Sequence, residues 1–246
     1  MSKTLICFSV LLYLVTLPVR GLTQTKTHHI YGVFTTGPAF TLGELGMKEV
    51  QKENSGFANT GFNVNMEVHI DMTKYIGLSM LTKQGTYAVD TRAYKEKLIY
   101  RNPTSDFSVQ SDDWIIGGAF LGLYGNFFTN DSSKTKLMLK GYIGLMNGNT
   151  PYYLIKENKA DGTYLWTEQS MGSTEGNFAY VLAADFRYKI KPRLEIIISL
   201  DYLYTDQSFN HVPFTRSNGE SGTVNIDMKY TSLNALLGIA YKINKK

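Results

Sequence analysis

Residues 62–72 read Phe-Asn-Val-Asn-Met-Glu-Val-His-Ile-Asp-Met, an unbroken alternation of apolar and polar side chains. Phe62, Val64, Met66, Val68, Ile70 and Met72 share one side, and Asn63, Asn65, Glu67, His69 and Asp71 share the other. A period of two marks a β-strand with a single apolar face. Eleven residues are more than an ordinary strand uses and match what a tilted strand needs to cross a bilayer. A soluble sheet rarely keeps so uniform a polar face beside so continuous an apolar one. The fold therefore turns on whether the pattern recurs.

It does. Strands are expected over 28–36, 62–72, 75–82, 114–128, 136–146, 178–190 and 194–204, with a closing strand carrying Leu233, Ala235, Leu237, Ile239, Tyr241 and Ile243 on one face. The glycines of the fourth (Gly117, Gly118, Gly122 and Gly125) blur its phase and leave its faces unassigned. The connections alternate long and short, so every tight turn falls at one end and every long loop at the other. That asymmetry belongs to transmembrane barrels. In the first long connection the mixed-charge run 47–54 is expected to form a short helix. In the third, Ala160-Asp161-Gly162 sits between β-prone runs and predicts a hairpin. It is read as a ribbon that continues the fifth and sixth strands beyond the barrel. The fourth long connection is read as a loop over 205–223.

Composition sets the remaining bounds. The chain has 246 residues, 19% of them charged, and a net charge of +4. No compact Lys/Arg stripe appears, which argues against nucleic-acid binding. A mean hydropathy of −0.18 is compatible with a membrane barrel, because alternating strands average to near zero. Lys3, the apolar run 5–17 and the small residues Val19 and Gly21 predict a signal peptide over 1–21, leaving 22–246 as the barrel domain. The single cysteine, Cys7, falls inside that leader, so the exported chain is expected to lack disulfides, thiolate metal sites and a cysteine nucleophile.

In a soluble barrel the apolar face fills the interior, and in a transmembrane barrel it faces lipid. The apolar faces here are long and carry aromatics towards their ends, including Phe178, Tyr188, Tyr202, Tyr204 and Tyr241, as interfacial girdles require. The loops segregate by side. The chain thus reads as an all-β, eight-stranded, antiparallel up-and-down transmembrane β-barrel. Glu67, His69, Asp71, Lys140, Asp185, Arg187, Lys189, Glu195, Asp201 and Lys242 are its expected interior charges. A three-residue turn at 191–193 would place Ile190 opposite Leu194 and Lys189 opposite Glu195, an opposed pair that stabilises the hairpin. Eight strands leave an interior that side chains can fill, so a plugged lumen is expected.

On these grounds the chain resembles the small eight-stranded outer-membrane barrels of the OmpA/OmpX type, with a texture similar to Bacteroidetes-type outer-membrane proteins. The resemblance rests on architecture and covers nearly all of the exported chain. It implies an integral outer-membrane protein, in contact with outer-membrane lipid and with the barrel-assembly machinery during biogenesis, and monomeric. One departure is that the chain ends Tyr241-Lys-Ile-Asn-Lys-Lys instead of on an aromatic residue.

Candidates for chemistry are few. Asp206, Ser208 and His211 have the residue types for acyl transfer at a barrel rim, which would suit a lipid A-modifying hydrolase or acyltransferase. Their spacing is that of a loop, and serine and aspartate are common in loops. His69 between Glu67 and Asp71 reads as a satisfied interior residue, and no metal, cofactor or phosphate-loop motif is present. A narrow conduit for small hydrophobic molecules is a further alternative. The leading expectation is a non-enzymatic barrel with a structural or surface-interaction role. Tyr152, Tyr153, Tyr164 and Trp166 on the third-loop hairpin are its candidate contacts with an extracellular protein or surface ligand.

Overall fold

The structure is a computed structural model. It describes residues 29–53, 55–127, 134–174 and 176–243; the leader expected over 1–21 lies outside them. In chain order the elements are β1 (Ile30–Leu42), α1 (Gly43–Gly46), β2 (Gly61–Asp71), β3 (Ile76–Tyr87), α2 (Thr91–Arg101), β4 (Ser105–Ser111), β5 (Trp114–Phe127), β6 (Thr135–Asn149), β7 (Tyr153–Lys159), β8 (Tyr164–Gln169), β9 (Asn177–Lys191), β10 (Leu194–Arg216) and β11 (Ser221–Lys242). Eight of the strands close a ring of antiparallel neighbours, β11-β1-β2-β3-β5-β6-β9-β10 and back to β11. A closed ring has no open edge, so each wall strand finds hydrogen-bonding neighbours on both sides.

The alternation of residues 62–72 settles the faces. Phe62 and Met66 are exposed, whereas Asn63, Asn65, Glu67 and His69 are buried. The same holds around the wall, with Leu139, Ile143, Leu182, Leu200 and Leu237 outside. An exposed band of this breadth is lipid-facing surface. In β5 the even-numbered residues point inward, with Trp114, Ile116, Phe120 and Tyr124 buried and Ile115, Leu121 and Leu123 exposed. Two inward glycines, Gly118 and Gly122, explain why its pattern is faint. A Cβ at Gly122 would run into the Tyr142 ring, and one at Gly77 of β3 into Tyr124. Each aromatic lies flat against backbone where a side chain would otherwise mark the face.

Several strands run past their expected ends. β1 continues to Leu42 and β3 to Tyr87, because their inner faces keep finding buried partners where polarity suggested a loop. The helix expected over 47–54 does not form among its described residues, 47–53; a single helical turn, α1, precedes them at Gly43–Gly46. Leu45 of that turn is fully buried in the barrel mouth. The fourth connection is not a loop. β10 and β11 pair from Leu194↔Tyr241 to Thr215↔Ser221, with a single irregularity between Phe209 and Val212. At ~3.3 Å per residue, the 23 residues of β10 extend roughly 75 Å, far more than a bilayer core of about 30 Å requires.

The hairpin at Asp161-Gly162 forms, with Asn158 opposite Tyr164 and Gly162 at φ 81°, a left-handed conformation that glycine adopts without strain. It does not continue the fifth and sixth strands. β9 leaves β10 at Thr205↔Ala179, and above that point β8 takes over β10's edge through Phe214↔Gln169, Thr215↔Glu168 and Arg216↔Thr167. β7 then pairs with β4 along Ser105–Ser111. The outer halves of β10 and β11 with β8, β7 and β4 thus make a five-stranded sheet outside the membrane band. Helix α2 packs beside it. Asp90 accepts from the Ala93 N–H at its start, and the Asn102 N–H closes on Leu98 at its end, just before Pro103.

Candidate functional site

Buried side chains occupy the lumen at its centre and towards both ends. At its centre Lys140 donates to both oxygens of Glu67, at 3.0 and 2.9 Å, and pairs with Asp185 at 2.8 Å. Glu67 also accepts from Tyr142 Oη at 2.6 Å and lies 2.7 Å from His69 Nε2. Arg187 reaches Asp185 through Nη2 at 2.8 Å, and the same nitrogen is 2.9 Å from His69 Nδ1. Guanidinium nitrogens only donate, so Nδ1 is the acceptor and the imidazole is neutral, with its proton on Nε2 shared with Glu67. Ser199 completes Asp185 at 2.8 Å.

A second set stands beside it. Lys83 contacts both oxygens of Asp201 at 2.9 Å, Asn65 donates to the same carboxylate at 3.2 Å and Asn234 at 2.5 Å. Acid and base balance across the two sets: Glu67, Asp185 and Asp201 against Lys140, Arg187 and Lys83. Burying ions is costly unless each is paired and its remaining hydrogen-bonding capacity is met, and these networks meet both conditions at most atoms.

Both ends of this charged belt are stoppered. Towards the loops, Tyr87, Trp114, Ile116, Phe120, Met146, Phe209, Val212 and Tyr230 form one apolar cluster together with Leu45 from α1. The Trp114 ring is tilted against Phe209 at 5.7 Å and donates its indole N–H to the Gly56 carbonyl at 3.2 Å, tying the first connection into the mouth. Tyr87 and Tyr230 join through their hydroxyls. Towards the turns, Val33, Ile197 and Ala240 close the bore, with Tyr31 against them.

The expected interior charges fall into two groups. Glu67, His69, Lys140, Asp185, Arg187 and Asp201 are buried together. Asp71 accepts from Tyr124 at 2.5 Å near the turn end, and Glu195 pairs there with Lys136 at 3.0 Å and stands 3.7 Å from Arg187. Lys242 lies 3.3 Å from His29. Lys189 departs from expectation. It does stand opposite Glu195 in register, but a bulge places Lys191, not Ile190, opposite Leu194. Its side chain is exposed at the rim, past the enclosed bore, and Glu195 turns to the sheltered Lys136 instead. Lys83 escaped sequence reasoning because Lys83-Gln-Gly-Thr reads as the start of a loop. The odd-numbered row Ser79, Leu81, Lys83, Gly85, Tyr87 was the available signal.

The outer sheet redistributes the four loop aromatics. Tyr153 is not presented to solvent. It is 7% exposed, packs its ring at a tilt against Tyr94 of α2 at 5.1 Å, and burial pushes its phenol well above the ordinary value. Tyr164 is 50% exposed. Tyr152 and Trp166 are half-buried, and Trp166 faces Lys156 across the hairpin on the solvent side with Leu154. The hairpin's edges are not free either, since β10 covers one and β4 the other. Among the described residues, the far edge of β4 and that of the outer part of β11, residues 221–230 beyond its pairing with β1, lack a strand partner.

Asp206, Ser208 and His211 do not assemble. Asp206 and Ser208 lie on β10's exposed side, where Asp206 accepts from Tyr204 Oη at 3.0 Å. His211 follows at the irregularity with φ 57°, its N–H held by Asn225 at 2.9 Å. No hydrogen bond joins any two of them among the described residues. Nor do any three His, Cys, Asp or Glu side chains there gather as metal ligands.

No family model matches the chain, and no curated protein matches it. Solved structures do. The outer-membrane protease OmpT of Escherichia coli covers 89% of this chain and 99% of its own at 8% identity, with a TM-score of 0.50. Neisserial surface protein A covers 89% and 100% at 14% identity, with a TM-score of 0.46. Ail, the attachment invasion locus protein of Yersinia pestis, covers 89% and 100% at 10% identity, with a TM-score of 0.41. At such identities the common property is the fold, and it is the fold of outer-membrane β-barrels.

Proposed function

We propose that this chain is an integral outer-membrane barrel that neither conducts nor catalyses, and that holds a folded sheet above the membrane for contact with a surface ligand or an extracellular protein. The observation that carries the reading is where the strands go. Inside the apolar band the bore is closed by paired charges and aromatic stoppers. Beyond it, β10 and β11 continue into an outer sheet whose solvent face carries Leu154, Lys156, Tyr164 and Trp166. Tyr and Trp are common anchors of binding surfaces.

Closure of the bore is tested by single-channel recording of the refolded protein in planar bilayers at neutral pH. No unitary conductance is expected, and a stable open level would overturn the reading. One of the similar barrels is a protease, so the absence of catalysis needs its own support. That support is the dispersal of Asp206, Ser208 and His211, each held by partners outside the trio or facing solvent alone. Incubation with lipid A and with peptide substrates should leave both unchanged; turnover that disappears in Ser208→Ala or His211→Ala would establish the enzyme instead.

A further inference from the structure

The two ends of the barrel handle positive charge differently. At the loop end most cations are matched, although Lys97, Lys156, Lys159 and Lys229 stand in no ion pair among the described residues. Lys48 pairs with Asp90, Lys52 with Glu49, Arg92 with Glu96, Lys95 with Asp106, Arg101 with Glu53 and Arg216 with Glu220. At the turn end, Lys134, Lys189, Lys191 and Arg193 have no carboxylate within ion-pair distance among the described residues. The four are neighbours. The Lys189 N–H donates to the Lys134 carbonyl at 2.7 Å, Lys191 stands opposite Leu194, and Arg193 directly precedes it. Glu195, the acid closest along the chain, is already engaged by Lys136 at 3.0 Å.

The patch borders the lipid-facing band. Phe186, Tyr188, Ile190 and Tyr241 are exposed immediately beside it, so its charges stand where that band ends. Lys and Arg stems lie along apolar surface while their heads seek water or anions. Four unneutralised cations within one hairpin's width, at the level where a leaflet presents its phosphates, form a complementary surface for a negative headgroup.

We infer that Lys134, Lys189, Lys191 and Arg193 form a binding surface for the headgroups of anionic phospholipids in the leaflet at the turn end. The inference rests on the membrane reading above. A phosphate diester with a net negative charge is the recognised group, and neighbouring acyl chains lie along Tyr188 and Ile190. Zwitterionic headgroups carry their own ammonium and gain little from the patch.

Native mass spectrometry of the folded full-length protein, released from mixed micelles holding equal phosphatidylglycerol and phosphatidylcholine, reads the preference directly. Wild type should retain phosphatidylglycerol more than tenfold over phosphatidylcholine. Each cation is expected to contribute on the order of fivefold at low salt, so Lys134→Gln, Lys189→Gln, Lys191→Gln and Arg193→Gln combined should lower the preference at least tenfold. Lys159→Gln with Lys229→Gln, at the loop end, should leave it unchanged. Heat-modifiable gel migration reports that each variant is folded. Equal retention of both lipids, or an undiminished preference in the fourfold variant, overturns the inference. So does full displacement of phosphatidylglycerol by millimolar inorganic phosphate, which would assign the patch to a soluble anion. A chain that inserts into no micelle and retains no lipid would instead overturn the membrane reading itself.

Discussion

Replacing Lys140 by methionine removes the one cation shared by two buried acids. Its ammonium lies 2.8 Å from Asp185 and 2.9 Å from Glu67. Those two carboxylate oxygens therefore sit within about 6 Å of each other, and unshielded they repel by about 3 kcal/mol at an effective dielectric of 20. One acid must then take up a proton or admit water. Breaking a buried pair from one side typically costs about 3–5 kcal/mol, so Lys140→Met should lower unfolding free energy by that amount. Adding Glu67→Gln to Lys140→Met removes one of the stranded charges and should recover roughly 1–2 kcal/mol, since residues in one network are not additive. Urea titration of vesicle-embedded protein, followed by Trp114 fluorescence, measures both. A loss below about 1 kcal/mol for Lys140→Met would refute the claim that these ions are dry and mutually dependent.

Further outcomes follow from other contacts. Gly77→Ala places a methyl group against the Tyr124 ring, and overpacking of this kind should cost about 1–3 kcal/mol and break the Tyr124–Asp71 hydrogen bond, visible as a changed tyrosine absorption. Tyr153→Ala should free the outer sheet from α2 at a local cost of roughly 3 kcal/mol, read as faster amide exchange in β4 and β7 with the wall unaffected. Asp90 is held below the usual carboxylate range by its Lys48 hydrogen bond first and by the Ala93 N–H second. Its stabilisation of α2 is therefore complete above about pH 4 and fades as the pH falls through its folded value. Amide exchange at Ala93 and Tyr94 should accelerate below that pH, and Asp90→Ala should remove the pH dependence along with about 1 kcal/mol of local stability.

What was legible in the chain tracks how strongly each strand is two-sided. Phe62 to Met72 and Phe178 to Ile190 alternate without a break, and their faces came through unambiguously. β5 did not, because Gly118 and Gly122 face inward and leave no side chain to mark the phase. Polar residues on an inner wall look like loop residues when read alone. That is why Lys83 and the extensions of β1, β3, β10 and β11 read as connections. Their membership depends on partners far away in sequence, such as Asp201 for Lys83. The outer sheet was half visible: Asp161-Gly162 marks its turn locally, but whether β8 joins β9 or β10 is decided by where β9 stops. Nothing near Tyr153 signals that it turns inward onto Tyr94, since the helix that covers it lies some sixty residues earlier.

The long β10–β11 pair also has a mechanical consequence. A pull on the outer sheet along the strand axis loads many of the hydrogen bonds of the ladder at once, in shear, and does not open them one after another as unzipping would. The load reaches the membrane wall directly, because Ile197, Ser199, Asp201 and Leu203 belong to the same strand as Phe214 and Thr215. The irregularity between Phe209 and Val212 is the compliant point on that line. A sideways force should bend the ribbon there, above the Trp114–Phe209 contact, and leave the staves below in place.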